Sequence, residues 1–322
     1  MGQQATEQQW QDLRECEAHL LAAVGTPVTA HDVTIQGASI HYLETGDARL
    51  PPLVMVHGRG GAAALWYPVI PLLAPHRHLI AVDMPGWGLS SRAHFLGKTG
   101  EYAIMWWRDA VLGVIDALKL ERFDLMGHSL GGIVSLAVAL ERQQHIDHLI
   151  LEDAAGFASR SPLWVRTFFN IGPERLARSV PRALVDTFRA RMAMPSSRNA
   201  ALEHAASDFV YTLATFPGTQ QSGARAFNAF VDVRGVHFKL RDRVAEIQIP
   251  TRAIWGERDH IVPLRDSRAG IATMPHVDLV VIPKVGHSPH SEIPQQLARL
   301  ALEGLARGAE IPVTEPAKQV ED

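Results

Sequence analysis

The sequence predicts an α/β fold: a mostly parallel, doubly wound sheet interrupted by an inserted helical cap. Two observations carry this. Short apolar runs of strand length alternate with helical stretches on both sides of the chain's middle, the pattern of a parallel sheet covered on both faces. Between those two regions, residues 157–243 carry helical periodicity and no convincing strand, so the stretch interrupts one sheet and does not separate two domains.

Taken in order, Trp10, Leu13, Cys16, Leu20, Leu21 and Val24 recur at helical spacing, and the helix over 6–24 stops at Gly25 with Pro27 beyond. Strands follow at Asp32–Ile35 and Ser39–Glu44, turning at Gln36-Gly37. The alternation then runs through strand Leu53–Val56, helix Ala62–Leu73, strand Leu79–Val82, helix Tyr102–Leu120, strand Phe123–Met126, helix Ile133–Leu140 and strand Leu149–Leu151. Inside the insert, Pro162, Pro173, Pro181, Pro195 and Pro217 break the chain into short helices. Strand Arg252–Trp255, helix Leu264–Thr273, strand Leu279–Ile282 and a helix over Pro294–Leu305 complete the pattern. The expected organisation is an N-terminal helical extension (1–29), a core (30–156 and 244–307), a helical cap (157–243) and a flexible tail (308–322).

Composition excludes several classes. A formal charge of −3 without any Lys/Arg cluster argues against a nucleic-acid partner. The single cysteine, Cys16, rules out an internal disulfide framework and a multi-cysteine metal site, and its place on the apolar side of the first helix fits packing. No run approaches the roughly 20 apolar residues of a membrane-spanning helix, so no stable membrane insertion is expected. The polar, glutamine-rich start is unlike a secretory signal. Met1-Gly2-Gln3-Gln4-Ala5-Thr6 fits the loose myristoylation pattern, which is short enough to arise by chance. The expectation is therefore a soluble cytoplasmic protein, and the sequence assigns it no oligomeric state.

The chemistry concentrates at Gly127-His128-Ser129-Leu130-Gly131, between a strand and a helix. In that setting G-x-S-x-G reads as a nucleophile elbow: the turn strains the serine's backbone, and its flanking residues must be nearly atomless for it to close. The alternative is a glycine-rich turn with an incidental serine. A hydroxyl needs a base, and of 16 histidines His287 stands out, because its loop leaves the C-terminal end of strand Leu279–Ile282, with Gly286 lending freedom. His290 is the rival. The imidazole in turn needs an acid, and Asp259 in Gly256-Glu257-Arg258-Asp259 again follows a strand, with Asp153 as second candidate and Glu257 as a nearby surface charge. The oxyanion is assigned to the amide of Leu130 and to the loop His57-Gly58-Arg59-Gly60-Gly61, with the Arg59 amide favoured over Gly60 and the Arg59 side chain expected in solvent, contact with an anionic substrate being its alternative.

These motifs, with Asp83-Met84-Pro85-Gly86-Trp87-Gly88-Leu89-Ser90 and Gly131-Gly132, make residues 30–307 resemble the α/β-hydrolase superfamily, its helical cap included. The resemblance implies the order Ser129, Asp259, His287 and a structural role for the Asp83 loop. The helix before residue 25 lies outside the superfamily's minimal core. Serine at the elbow steers away from the dehalogenases and epoxide hydrolases of the superfamily, which carry aspartate there, and suits acyl transfer. Such chemistry needs neither a metal nor an organic cofactor, and the histidines show no spacing such as H-E-x-x-H.

The insert is rich in large apolar residues: Trp164, Phe168, Phe169, Phe188, Met192, Met194, Phe209, Tyr211, Phe216, Phe227 and Phe230. Most are expected to pack the insert's own core, with some lining a pocket. The expected activity is hydrolysis of a carboxylic ester of a small to medium apolar substrate. Cleavage of a 1,5-diketone carbon–carbon bond or a lactone by the same triad is the alternative. A perhydrolase and a non-catalytic binding homologue stand behind these.

Overall fold

The computed structural model describes residues 4–158, 160–172 and 199–306. The start of the myristoylation pattern, Met1 to Gln3, and the whole tail at 308–322 fall outside these residues. So do Phe188, Met192, Met194, Pro173, Pro181 and Pro195.

Eight strands form one sheet in the order β1-β2-β4-β3-β5-β6-β9-β10. They are β1 (Thr29–Ile35), β2 (Ala38–Thr45), β3 (Pro52–Val56), β4 (His78–Val82), β5 (Phe123–His128), β6 (Ile146–Glu152), β9 (Thr251–Gly256) and β10 (Val277–Ile282). The β1–β2 and β2–β4 pairs are antiparallel, and every pair from β4 to β10 is parallel. The first two strands meet where Gln36 and Gly37 both take positive φ, 50° and 81°, which a two-residue hairpin of the primed type requires.

The strands bury both faces, because period-2 alternation delivers apolar side chains to each side. Val54, Val56, Ile80, Val82 and Leu125 belong to one core cluster, while Leu53, Met55, Leu79, Ala81 and Met126 belong to the other. Helices α3 (Gly100–Ala117) and α4 (Leu130–Arg142) supply Trp107, Val111, Ile133 and Val134 to the first cluster. On the other face, the second is closed by α1 (Glu7–Val24), α2 (Ile70–Leu73) and the C-terminal α10 (Pro294–Leu305).

Two local expectations are corrected. Residues 62–73 do not form one helix: a 3₁₀ turn at Ala63–Trp66 and the single-turn α2 share the segment, divided around Pro68 and Val69. Proline lacks the amide that a continuous helix would use there. The insert also contains strands, β7 (Val231–Asp232) and β8 (Gly235–Val236), a minimal antiparallel hairpin too short for any periodicity to show. Its described helices are α5 (Leu163–Ile171), α6 (Ala200–Thr215) and α7 (Gly223–Phe230). Two further helices, α8 (Leu264–Ile271) and α9 (Pro289–Glu292), follow in the second half of the core.

The N-terminal helix is tied to both parts of the molecule. A capping box joins Thr6 and Gln9 at its start, and Gly25 ends it in the left-handed conformation at φ 75°. Trp10 meets Phe216 edge-on at 4.6 Å, and the Arg92 guanidinium lies over both rings, at 5.4 and 4.9 Å. Cys16 approaches Thr212 of α6, a packing role as expected. On the sheet side, Glu17 is buried and accepts from His41 Nε2 at 3.0 Å, while His41 Nδ1 lies 3.0 Å from Asp32. Among the described residues, no helix is long and apolar enough to cross a membrane.

Candidate active site

Five parallel strands, β3, β5, β6, β9 and β10, end at the same edge of the sheet, and each sends a loop carrying a candidate site residue from its C-terminal end. Ser129 follows β5 at once. It sits at φ 53°, ψ −116°, as the residue preceding α4. A serine pays for such a conformation, on the order of 1–3 kcal/mol, so the surroundings must hold it. They do so through three backbone hydrogen bonds: the Ser129 amide donates to the Glu152 carbonyl, and the Ser129 carbonyl accepts from Gly132 and Ala155, all at 2.9 Å.

The glycines answer to close approach. A Cβ on Gly131 would run into the Val56 carbonyl oxygen and lie 2.6 Å from that of His57. Gly131→Ala is therefore expected to push α4 off β3 and carry Ser129 with it. The measurable result is a loss of Ser129 reactivity of about 100-fold together with destabilisation of more than about 2 kcal/mol. Labelling rate by a fluorophosphonate and a urea melt would read the two, and a wild-type labelling rate would refute the account of the elbow.

The structure brings together the three residues that the sequence placed in order. Ser129 Oγ lies 2.9 Å from His287 Nε2, and His287 Nδ1 lies 2.8 Å from Asp259 Oδ2. A carboxylate only accepts, so Nδ1 carries the ring proton and Nε2 is left to accept from the serine hydroxyl. Asp259 Oδ1 accepts from the amides of Ile261 at 2.7 Å and Val262 at 3.0 Å. Burial alone would raise its affinity for a proton, but the His287 charge and hydrogen bond, with those amides, hold it below the usual carboxylate range.

His290, the rival base, is turned elsewhere. Its Nδ1 and its backbone amide both donate to Glu152 Oε1, at 2.9 and 2.6 Å. Glu257 accepts from the Lys284 amide at 3.0 Å. Asp153 is fully buried beside Asp259, with its Oδ1 accepting from the Gly256 amide at 3.0 Å.

Sequence reasoning passed over the residues that hold this arrangement in place. His128, between the elbow glycine and the serine, donates from Nε2 to the His287 carbonyl at 2.7 Å. Burial drives its ring down to about 3, helped by the His290 and His287 charges against an opposing Glu152, so it stays neutral. Glu292 accepts from the Gly286 amide at 2.9 Å and pins the base of the His287 loop. His57 donates from Nδ1 to the Gly58 carbonyl at 2.7 Å and accepts the Met84 amide at 3.0 Å, which sets the shape of the Arg59 loop. Burial holds His57 at about 4, in the neutral form these bonds require. The Asp83 loop is structural: its carboxylate accepts from Ala63 at 2.5 Å and Leu89 at 2.6 Å. Nothing in a single sequence separates such buried histidines from surface ones.

A cavity of about 230 Å³ opens above Ser129. Leu130 and Arg59 border it, and Val165, Phe169, Phe227 and Phe230 of the insert give it an apolar wall. The Arg59 side chain is not in solvent, correcting that expectation. Its guanidinium is half-buried over the rings of Phe169 and Phe227, 4.4 and 4.9 Å from their centroids, because a weakly hydrated planar cation stacks well on aromatic faces. Phe209 and Phe216, by contrast, are buried against α1 and play the packing role. Trp164 is largely exposed.

Two groups of described residues have ligand types close enough for a metal: Glu17, His41 and Asp83, and Asp153, Asp259 and His287. In both, the two histidine ring nitrogens are already taken by side-chain partners.

Comparison with known proteins agrees with this fold. A 2-hydroxy-6-oxo-2,4-heptadienoate hydrolase of Pseudomonas putida is 31% identical over 264 residues, covering 79% of this chain and 89% of that protein. A 1-acylglycerol-3-phosphate O-acyltransferase of Arabidopsis thaliana is 28% identical over 315 residues, covering 84% and 74%. Among solved structures, carboxylesterase CesB of Bacillus subtilis shares the fold at a TM-score of 0.73 and 17% identity, covering 93% of this chain and 99% of that one. The chain matches the alpha/beta hydrolase fold family over residues 51–294, from the start of β3 to the start of α10, a span that contains the elbow, Asp259 and His287. With that match and its sheet order, the chain belongs to the α/β-hydrolase family.

Proposed function

We propose that this α/β hydrolase cleaves a carboxylic ester of a small to medium apolar substrate through an acyl-enzyme. The observation that carries the reading is the continuous relay from Ser129 Oγ to His287 to Asp259, at 2.9 and 2.8 Å, opening on the apolar cavity. His287 takes the serine proton as Oγ attacks the carbonyl carbon, and then gives it to the leaving alcohol. Asp259 holds the ring tautomer and offsets the imidazolium charge. The amides of Leu130, at the start of α4, and of Arg59 receive the oxyanion, where the helix N-terminus favours negative charge. Water, activated by His287 in turn, releases the acid.

One observation favours a second reading. The relative at 31% identity is named for a 2-hydroxy-6-oxo dienoate, whose keto form is a 1,5-diketone that the same nucleophile and base can cleave at a carbon–carbon bond. A panel of p-nitrophenyl esters from acetate to decanoate, simple lactones and a 2-hydroxy-6-oxo dienoate separates the two. Turnover of the short esters, with stoichiometric fluorophosphonate labelling at Ser129, is the expected result. Turnover of the dienoate alone would transfer the assignment to the carbon–carbon hydrolase, and failure to label would refute both.

A further inference from the structure

We propose that Asp153 is a positioning residue of this site: a neutral carboxylic acid, packed behind Asp259, whose hydroxyl donates to the Asp259 carboxylate. The inference rests on the reading of Ser129, His287 and Asp259 as the reacting set.

Asp153 follows β6 directly and is fully buried, and carboxylate oxygens of Asp153 and Asp259 lie within 4.8 Å of each other and of a His287 ring nitrogen. Its amide continues the ladder to the Ile254 carbonyl at 3.0 Å, and its Oδ1 accepts from the Gly256 amide. These bonds fix the residue at φ 43°, in the left-handed region. A side chain needed only to accept one amide would not require an ionisable group in a dry, strained position.

Two carboxyl groups this close in a dry interior do not both ionise, so one holds a proton. Their partners decide which. Asp259 accepts from three donors, Ile261, Val262 and His287, whereas Asp153 accepts from Gly256 alone and its Oδ2 meets no donor among the described residues. The anion settles where the donors are, and the proton settles on Asp153. The charged and titratable groups facing it agree. Burial first, then the Asp259 charge from the loop after β9 and the Glu152 charge from β6, hold Asp153 well above the usual carboxylate range. The third group, His287, directs its Nδ1 proton to Asp259.

A neutral donor at this place orients Asp259 towards His287 and spreads its charge without adding a second one. An ionised Asp153 would instead tighten the hold on the imidazolium and slow return of its proton to the leaving group.

The test uses Asp153→Asn, whose amide still donates, and Asp153→Ala, which does not. Infrared difference spectra of the full chain at pH 8, where Asp83, raised to about 6 by burial, is ionised, should show a protonated carboxyl band in the wild type that Asp153→Asn removes. On an ester substrate, kcat of Asp153→Ala should fall about tenfold or more below that of Asp153→Asn, with KM within about twofold. The acid limb of its pH profile should move up by about one unit, and that of Asp153→Asn by less. Absence of the band, or equal kcat and unmoved limbs in both variants, would overturn the proposal. If Asp153→Ala does not fold, the band and the Asn variant's limb still decide. The spectrum needs no turnover: a band without fluorophosphonate labelling faults the hydrolase reading, and labelling without a band faults this one.

Discussion

Ser129→Ala is expected to lower kcat/KM on a p-nitrophenyl ester by about 10⁴–10⁶-fold while leaving the circular dichroism spectrum and urea midpoint close to wild type. The magnitude follows from what the hydroxyl does. In the proposed reaction it is the atom that forms the covalent bond, and with it gone His287 loses the hydroxyl that lies 2.9 Å from its Nε2. The fold should survive because the elbow is held by backbone, not by the side chain: the Ser129 amide and carbonyl keep their bonds to Glu152, Gly132 and Ala155. Residual hydrolysis within about tenfold of wild type would mean that catalysis runs through another group.

The second large effect is on stability and lies far from the site. Glu17→Ala is expected to cost about 3–5 kcal/mol, because it leaves His41 as a buried charge without its buried partner. Burial alone would strip the proton from His41, but the Glu17 carboxylate, the Asp83 charge and Asp32 override it and hold the ring up at about 9. A folded-state proton affinity above the unfolded value of about 6.5 gives a contribution that is complete below that pH and is lost as pH climbs through about 9. Urea midpoints of the wild type should therefore fall between pH 6.5 and 9, and the fall should flatten in Glu17→Ala. Parallel curves for the two proteins would refute the assignment. Since α1 also packs against α6 of the insert, loss of Glu17 should loosen the insert as well as the sheet edge.

Much of the site was legible because its signals are local. The elbow motif needs only a strand, a glycine turn and a helix in succession, and Ser129 stands there. Asp259 and His287 are picked out by a rule about strand ends, and they come together with Ser129 because a parallel sheet sends its loops to one edge. The choice of His287 over His290 rested on Gly286, and the structure brings His287 to the serine while Glu152 claims His290. The errors were of another kind. A stacked Arg59, a split segment at 62–73 and a two-residue hairpin at 231–236 all depend on neighbours distant in sequence or on elements shorter than any period.

By itself, then, the sequence determined the sheet and named Ser129, His287 and Asp259 as a candidate nucleophile, base and acid, since each is written in a short pattern or a strand end. Only the tertiary structure decided what stands around them. It set Asp153 behind Asp259, turned His128 and Glu292 onto the His287 loop, joined Glu17 to His41, and laid Phe169 and Phe227 against Arg59. Those pairings join residues up to 168 positions apart (59 to 227), and their energies come from burial, a property no isolated stretch of chain possesses until the whole has packed.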